Sequence, residues 1–189
     1  MSDSGIPNDS SESTGVPPLF HEVQRFRQWI FVVPVLGVTG IVWWQFLQQV
    51  VLGNPQGSDP IPNWLAWVLF LVFGLGFPAF GWMVRVVTEV WPGELRVQLV
   101  PFRRAHIPVR TIRKAIVREY SPLKEYGGWG MRISRSNGRA YNAYGNRGVQ
   151  MILDGGALVL VGSQQPEELL AALRSAGADL ENTKKSDEA

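Results

Sequence analysis

Six basic side chains, Arg103, Arg104, Arg110, Arg113, Lys114 and Arg118, fall within sixteen residues of the chain. Guanidinium groups are flat, always charged and shaped to grip phosphate or carboxylate oxygens in pairs. The chemistry that such a cluster predicts is contact with anionic phospholipid headgroups. Near an anionic leaflet each basic side chain contributes about 1 kcal/mol, over a Debye length of about 8 to 10 Å. The same residues also read as the topology signal of a neighbouring membrane span on a solvated strand face, and both readings stand. The cluster belongs to a wider basic stretch: residues 85–147 hold thirteen Lys or Arg against four acids, in a chain whose formal net charge is only +2. A second group, Tyr126, Trp129, Tyr141 and Tyr144, is aromatic and predicts a surface for an unidentified protein partner, in competition with an ordinary packing role.

Groups able to run a reaction are scarce. His21 and His106 are the two histidines and cysteine is absent, so neither a thiolate metal site nor a Cys nucleophile can form. No phosphate-binding, zinc-protease or nucleophile-elbow spacing occurs. Gly127-Gly128-Trp129-Gly130 is rich enough in glycine to approach a phosphate, but no Lys-Ser or Lys-Thr follows it and the next segment alternates like a strand. No catalytic residue, cofactor ligand or metal ligand is therefore assigned, and the expectation is a protein that is not an enzyme. A cryptic enzyme would need His106, Asp154 or the pair Asn142 and Asn146 to meet in space. Nucleic acid is not expected as a partner, because aromatic residues hardly interleave with the basic ones.

The elements that position these residues begin with two apolar runs, 29–52 and 64–84. At about 1.5 Å per residue each makes a helix of roughly 30 to 36 Å, enough to cross a hydrocarbon core of about 30 Å. The intervening loop, residues 53–63, has no Lys or Arg, whereas Arg25, Arg27, Arg85 and Arg96 lie outside the runs. The positive-inside rule then predicts a multi-pass protein of the inner (cytoplasmic) membrane with both termini in the cytoplasm. Trp29 and Trp82 would share one interface, and Trp43, Trp44, Trp64 and Trp67 the other. Gly74, Pro78 and Gly81 share one side of the second helix and predict a small-residue seam against Gly37 and Gly40. The alternative is a small oligomeric pore or transporter-accessory subunit, although neither run contains an ionisable group to carry an ion.

Beyond residue 94 the period changes to two. Leu95, Val97 and Leu99 alternate with Arg96 and Gln98; residues 105–107, 112–120, 131–136, 139–144, 149–153 and 157–162 complete about seven short antiparallel strands. Asn137-Gly138 predicts a type I′ hairpin turn, in which both residues take positive φ. Pro166, Glu167 and Glu168 open a C-terminal helix and Gly177 ends it. The resulting map is a disordered leader over 1–24, a hairpin over 25–88 with spans at about 29–52 and 64–87, a β-domain over 89–177 and a flexible tail over 178–189.

Strands capped by a final helix, together with Pro101-Phe102-Arg103-Arg104-Ala105-His106-Ile107-Pro108, Glu125-Tyr126-Gly127-Gly128-Trp129-Gly130-Met131-Arg132, Ala140-Tyr141-Asn142 and Gly145-Asn146-Arg147-Gly148-Val149, resemble small two-span bacterial membrane proteins that carry a pleckstrin-homology-like (PH-like) domain. The resemblance covers roughly residues 25–175. It implies a membrane α-hairpin followed by a mainly-β, α+β PH-like domain on the cytoplasmic side, and brings no catalytic residues with it. The expected function is a membrane-held, non-enzymatic interaction or scaffold module that contacts anionic lipid and a partner protein; a homo-oligomer is the expectation of the pore alternative.

Overall fold

The computed structural model describes residues 17–54, 57 and 60–178. Residues 1–16 of the expected leader and 179–189 of the expected tail lie outside the described residues. The first long helix, Trp29–Val51, and the second, Asn63–Met83, each with a mean hydropathy of 1.9, are long and apolar enough to cross a membrane. Little of either is covered: Ile30, Leu36, Ile41, Trp44, Trp64, Leu71 and Trp82 all point their apolar side chains outward. A soluble core helix would bury such a face. The second helix ends at Met83 rather than near residue 87, because Val84 is already extended and a strand begins at Arg85.

The helices meet through aromatic rings instead of a glycine seam. Phe46 stacks on Phe70 at 4.1 Å, and Trp43 and Trp67 stand edge-on to them. A Cβ added at Gly37, Gly40 or Gly81 would meet nothing within 4 Å, so the predicted seam is corrected: only Gly74 lies in the contact. Pro78 has no N–H to give the Gly74 carbonyl. The indole Nε1–H of Trp43 donates to that carbonyl at 3.1 Å, while the backbone around it widens into a π-helical stretch over Phe70–Gly76.

Among the described residues nine strands form two sheets. β1 (Phe20–Arg25), β2 (Arg85–Trp91), β3 (Glu94–Val100) and β4 (Arg103–Pro108) make an antiparallel sheet in that spatial order. β5 (Ile112–Glu119), β6 (Gly130–Ser134), β7 (Gly138–Asn142), β8 (Arg147–Leu153) and β9 (Leu158–Gly162) make the second, ordered β5-β8-β9-β7-β6. Three expectations change here. Residues 20–24, expected in a disordered leader, are strand, because Phe20, Glu22 and Gln24 alternate inward and β1 pairs with β2 on the far side of the hairpin, Arg25 opposite Arg85. The hairpin is thus inserted between two adjacent strands. The second sheet is not wholly antiparallel, since β7 and β9 run parallel. The turn at residues 135–137 is longer than a type I′ turn: Gly138, at φ +74°, takes positive φ and Asn137 does not.

Between the sheets, Val86, Val90, Leu95, Val97 and Ile107 pack against Val149, Met151, Val159 and Val161. The C-terminal helix Pro166–Ser175 buries Leu169, Ala172 and Leu173 and packs on β1, β2, β5 and β8. A short helix, Pro122–Tyr126, lies at the other face of the second sheet, where Tyr120, Tyr126, Ala140 and Leu160 form a smaller core.

Candidate functional site: an arginine-lined cleft between two sheet edges

The C-terminal helix covers one flank of the β-sandwich. The opposite flank, where β4 and β6 are the outermost strands, holds a cleft of about 510 Å³. Its walls are the whole of β4, residues 103–108, and residues 131–133 of β6. Ile107, Tyr141, Leu153 and Val159, all buried or half-buried, line its depth. Register explains the lining. Arg103 sits opposite Leu99, with Ala105 and Ile107 on the same inward side of β4, whereas Arg104 and His106 occupy the outward side. Across the cleft, Met131 pairs with Tyr141 and Ile133 with Arg139. Arg103, Arg104, Arg132 and Arg139 are exposed at the rim, and no acidic residue lines the cleft. Among the described residues Arg103, Arg104 and Arg139 have no hydrogen bond or ion pair, and Arg132 donates to the Trp129 carbonyl at 3.0 Å.

The cleft also has a fixed relation to the helices. Phe102, at the tip of the β3–β4 turn and directly before Arg103, stands edge-on to Phe80 in the last turns of the second helix, ring centres 5.9 Å apart. Arg25 lies over the Trp82 ring at 5.1 Å. Trp129, which leads into β6, packs edge-on to Phe31 of the first helix at 6.0 Å, and Gln28 Nε2 donates to the Ala143 carbonyl. The turn between β3 and β4 and the entry to β6 therefore both sit against the hairpin, while Pro108 lies about 17 Å along β4 from Arg103, at 3.3 Å per residue.

This geometry splits the six clustered basic residues. Arg103 and Arg104 line the cleft at its hairpin end. Arg110 follows Pro108 in a 3-10 turn at the far end. Arg113 is paired with Asp154 and Lys114 is half-buried on β5. Arg118 is committed inward: it reaches Glu125 at 2.8 Å, Gln150 at 3.0 Å and the Tyr126 hydroxyl at 3.3 Å. Its guanidinium holds the Glu125 carboxyl below the usual range, and burial pushes the Tyr126 hydroxyl up. Six neighbours in sequence do not make one surface because a strand, a turn and a second strand send them to different faces.

The aromatic group divides likewise. Tyr126 and Tyr141 belong to the two cores, Trp129 to the helix contact and Tyr144 alone is well exposed. A single patch of the four does not form. The scattered groups of a cryptic enzyme also go separate ways: His106 contacts Glu94 at 2.8 Å, Asp154 pairs with Arg113, and Asn142 donates to the Tyr120 hydroxyl at 3.0 Å. Burial raises the Tyr120 hydroxyl to about 12. Among the described residues no group of three or more His, Asp or Glu comes together to hold a metal ion.

Sequence reasoning missed Arg132 and Arg139 as partners of Arg103, since they are about thirty residues away and only sheet packing joins them. It also missed Glu22. Its Oε1 accepts from Gln24 Nε2 at 3.0 Å and from the Gln164 amide at 2.8 Å, and its Oε2 from the Ser163 hydroxyl. A charged residue alternating with apolar ones reads as solvent-facing, and the inward phase of His21-Glu22-Val23-Gln24 is visible only once β1 is paired.

No curated protein matches the chain. A family model described as a family of unknown function, DUF6141, matches residues 11–180, a stretch that takes in β1, both long helices, both sheets and the C-terminal helix. The chain belongs to that family of unknown function, DUF6141.

Proposed function

We propose that the protein is a two-span membrane protein of the inner (cytoplasmic) membrane that holds a PH-like β-domain against the cytoplasmic leaflet as a non-enzymatic interaction module. The observation that carries this reading is the contact of Phe102 with Phe80 beside two arginines, Arg103 and Arg104, that have no hydrogen bond or ion pair among the described residues. With the two outward-facing apolar helices in a bilayer, Trp29 and Trp82 lie at one interface. Arg25, Arg85, Arg103 and Arg104 are then within reach of anionic headgroups, whereas Arg110, about two Debye lengths further along the sheet, is screened from them. The basic residues that follow the second span in sequence thus contribute unequally.

Three measurements test the reading. Topology reporters at Gly57 and at the C-terminus should report the outer and the cytoplasmic side respectively; both on one side would refute the hairpin. In full-length protein reconstituted in nanodiscs, a paramagnetic headgroup lipid should broaden the amide signals of Phe102 and Arg103 and spare Arg110. Replacing neutral by anionic lipid should shift the Arg103 and Arg104 side-chain signals. Unchanged arginine signals would remove the lipid contact.

A further inference from the structure

We infer that the cleft is a docking site for an extended segment of a partner protein in which acidic and apolar residues alternate, added as a new strand along β4. The inference deepens the interaction module proposed above and rests on it. Both long walls of the cleft are strand edges: among the described residues β4 pairs only with β3, and β6 only with β7. Such an edge presents a row of backbone N–H and C=O groups that an extended chain satisfies by joining the sheet. The headgroup zone of a leaflet is only about 5 to 8 Å deep. The edge of β4 runs about 17 Å away from the hairpin, so lipid reaches the end near Arg103 and leaves the stretch from Ala105 to Pro108 unfilled.

The lining specifies the side chains of the segment. A residue added beside Ala105 or Ile107 shares their inward side and faces Met131 and Ile133, the latter 79% exposed. Ile133 is apolar surface that an apolar side chain would cover. A residue added beside Arg104 or His106 shares their outward side, where a carboxylate meets the Arg104 guanidinium, unpaired among the described residues, while His106 is already held by Glu94. Arg103 and Arg139 add positive charge on the inner side, and no acid in the cleft offsets it. Pro108 ends the stretch, because it has no N–H for a further ladder bond.

The test uses full-length protein in nanodiscs of neutral phosphatidylcholine, so that anionic lipid is absent, and a labelled ten-residue peptide alternating glutamate and valine. Binding that weakens as salt rises, with slowed hydrogen exchange at backbone amides of β4, is the expected result. Ile133→Glu, at a site too exposed to endanger folding, and Arg139→Glu should each weaken binding about tenfold, and the matching lysine–valine peptide should not bind. No binding of the acidic peptide, equal binding of both peptides, or binding without protection of β4 would each overturn the inference. If the peptide fails while anionic nanodiscs still shift Arg103 and Arg104, the cleft is a lipid site and the membrane reading survives. If the topology reporters fail, that reading falls whatever the peptide does.

Discussion

Two polar clusters hold this β-sandwich, and they differ in what they join. Glu22 on β1 ties the strand before the hairpin to Ser163 and Gln164, about 140 residues later, in a site that is almost wholly buried. Arg118, Glu125, Tyr126 and Gln150 join neighbouring segments of the second sheet, and the Arg118–Glu125 pair remains more than a quarter exposed. A buried carboxylate is tolerated only when its oxygens are fully hydrogen-bonded, and removing one member of such a group leaves the others unpaired. The long-range cluster is the clasp that fixes where β1 goes, while the local one trims a sheet that its own turns already specify.

The largest expected effect comes from deleting residues 1–26. The deletion removes the burial of Phe20, about 1.5 to 3 kcal/mol, together with the Glu22 cluster, and their sum rivals the whole stability of a domain of about 5 to 15 kcal/mol. Hydrogen exchange on the full chain and on the deleted chain should show β2 and β9 losing protection; a sandwich that stays protected would erase the difference between the clusters. Glu22→Ala should cost about 2 to 4 kcal/mol in thermal or denaturant unfolding, since it leaves the Ser163 hydroxyl and the Gln164 backbone amide without their acceptor while Gln24 Nε2 keeps the Gly162 carbonyl.

Smaller effects belong to the second sheet. Arg118→Met should cost about 1 to 2 kcal/mol, because Glu125 and Tyr126 keep partial access to water. Arg118 holds Glu125 below the usual carboxylate range. The stabilisation is therefore complete above that range and fades as pH falls through the depressed value of the folded state. Glu125→Gln should flatten that acid limb of the unfolding profile. On the alkaline side, Tyr120 is raised to about 12 by burial, so its contribution is intact below the ordinary tyrosine value and is lost as pH rises toward 12. Absorbance titration should find Tyr120 titrating last, after Tyr126, which burial also raises, and Tyr120→Phe should remove that last step. Least of all, Arg113→Ala, in an exposed pair with Asp154, should change stability by less than about 1 kcal/mol.

The legible parts of the fold were those with strong local periodicity. Residues 95–99 and 149–153 alternate or run apolar enough to be strands wherever they pack, Pro166 and Gly177 bracket the last helix, and the two apolar runs are helices by length alone. β2 was hidden because Arg85, where the apolar run ends, reads as a topology charge, and Val86 and Val87 resume the apolar character of the second helix without a clear alternation. The cleft was half legible: Arg103 and Arg104 were in view, but Arg132, Ile133 and Arg139 join them only through the packing of two sheets. Tyr126 and Tyr141, prominent in sequence as a binding surface, are instead core residues.

By itself the sequence determined two long apolar helices, a basic region after them, a set of short strands and a closing helix, because each is written in the spacing of neighbouring residues. The tertiary structure decided that β1 crosses the hairpin to join β2, that β7 and β9 run parallel, that Glu22 and Arg118 turn inward, and that two sheet edges frame an arginine-lined cleft. These are choices of partner. Pairing of strands and burial of a charge depend on groups far away in the chain, and local periodicity carries no information about which distant group will supply the bond.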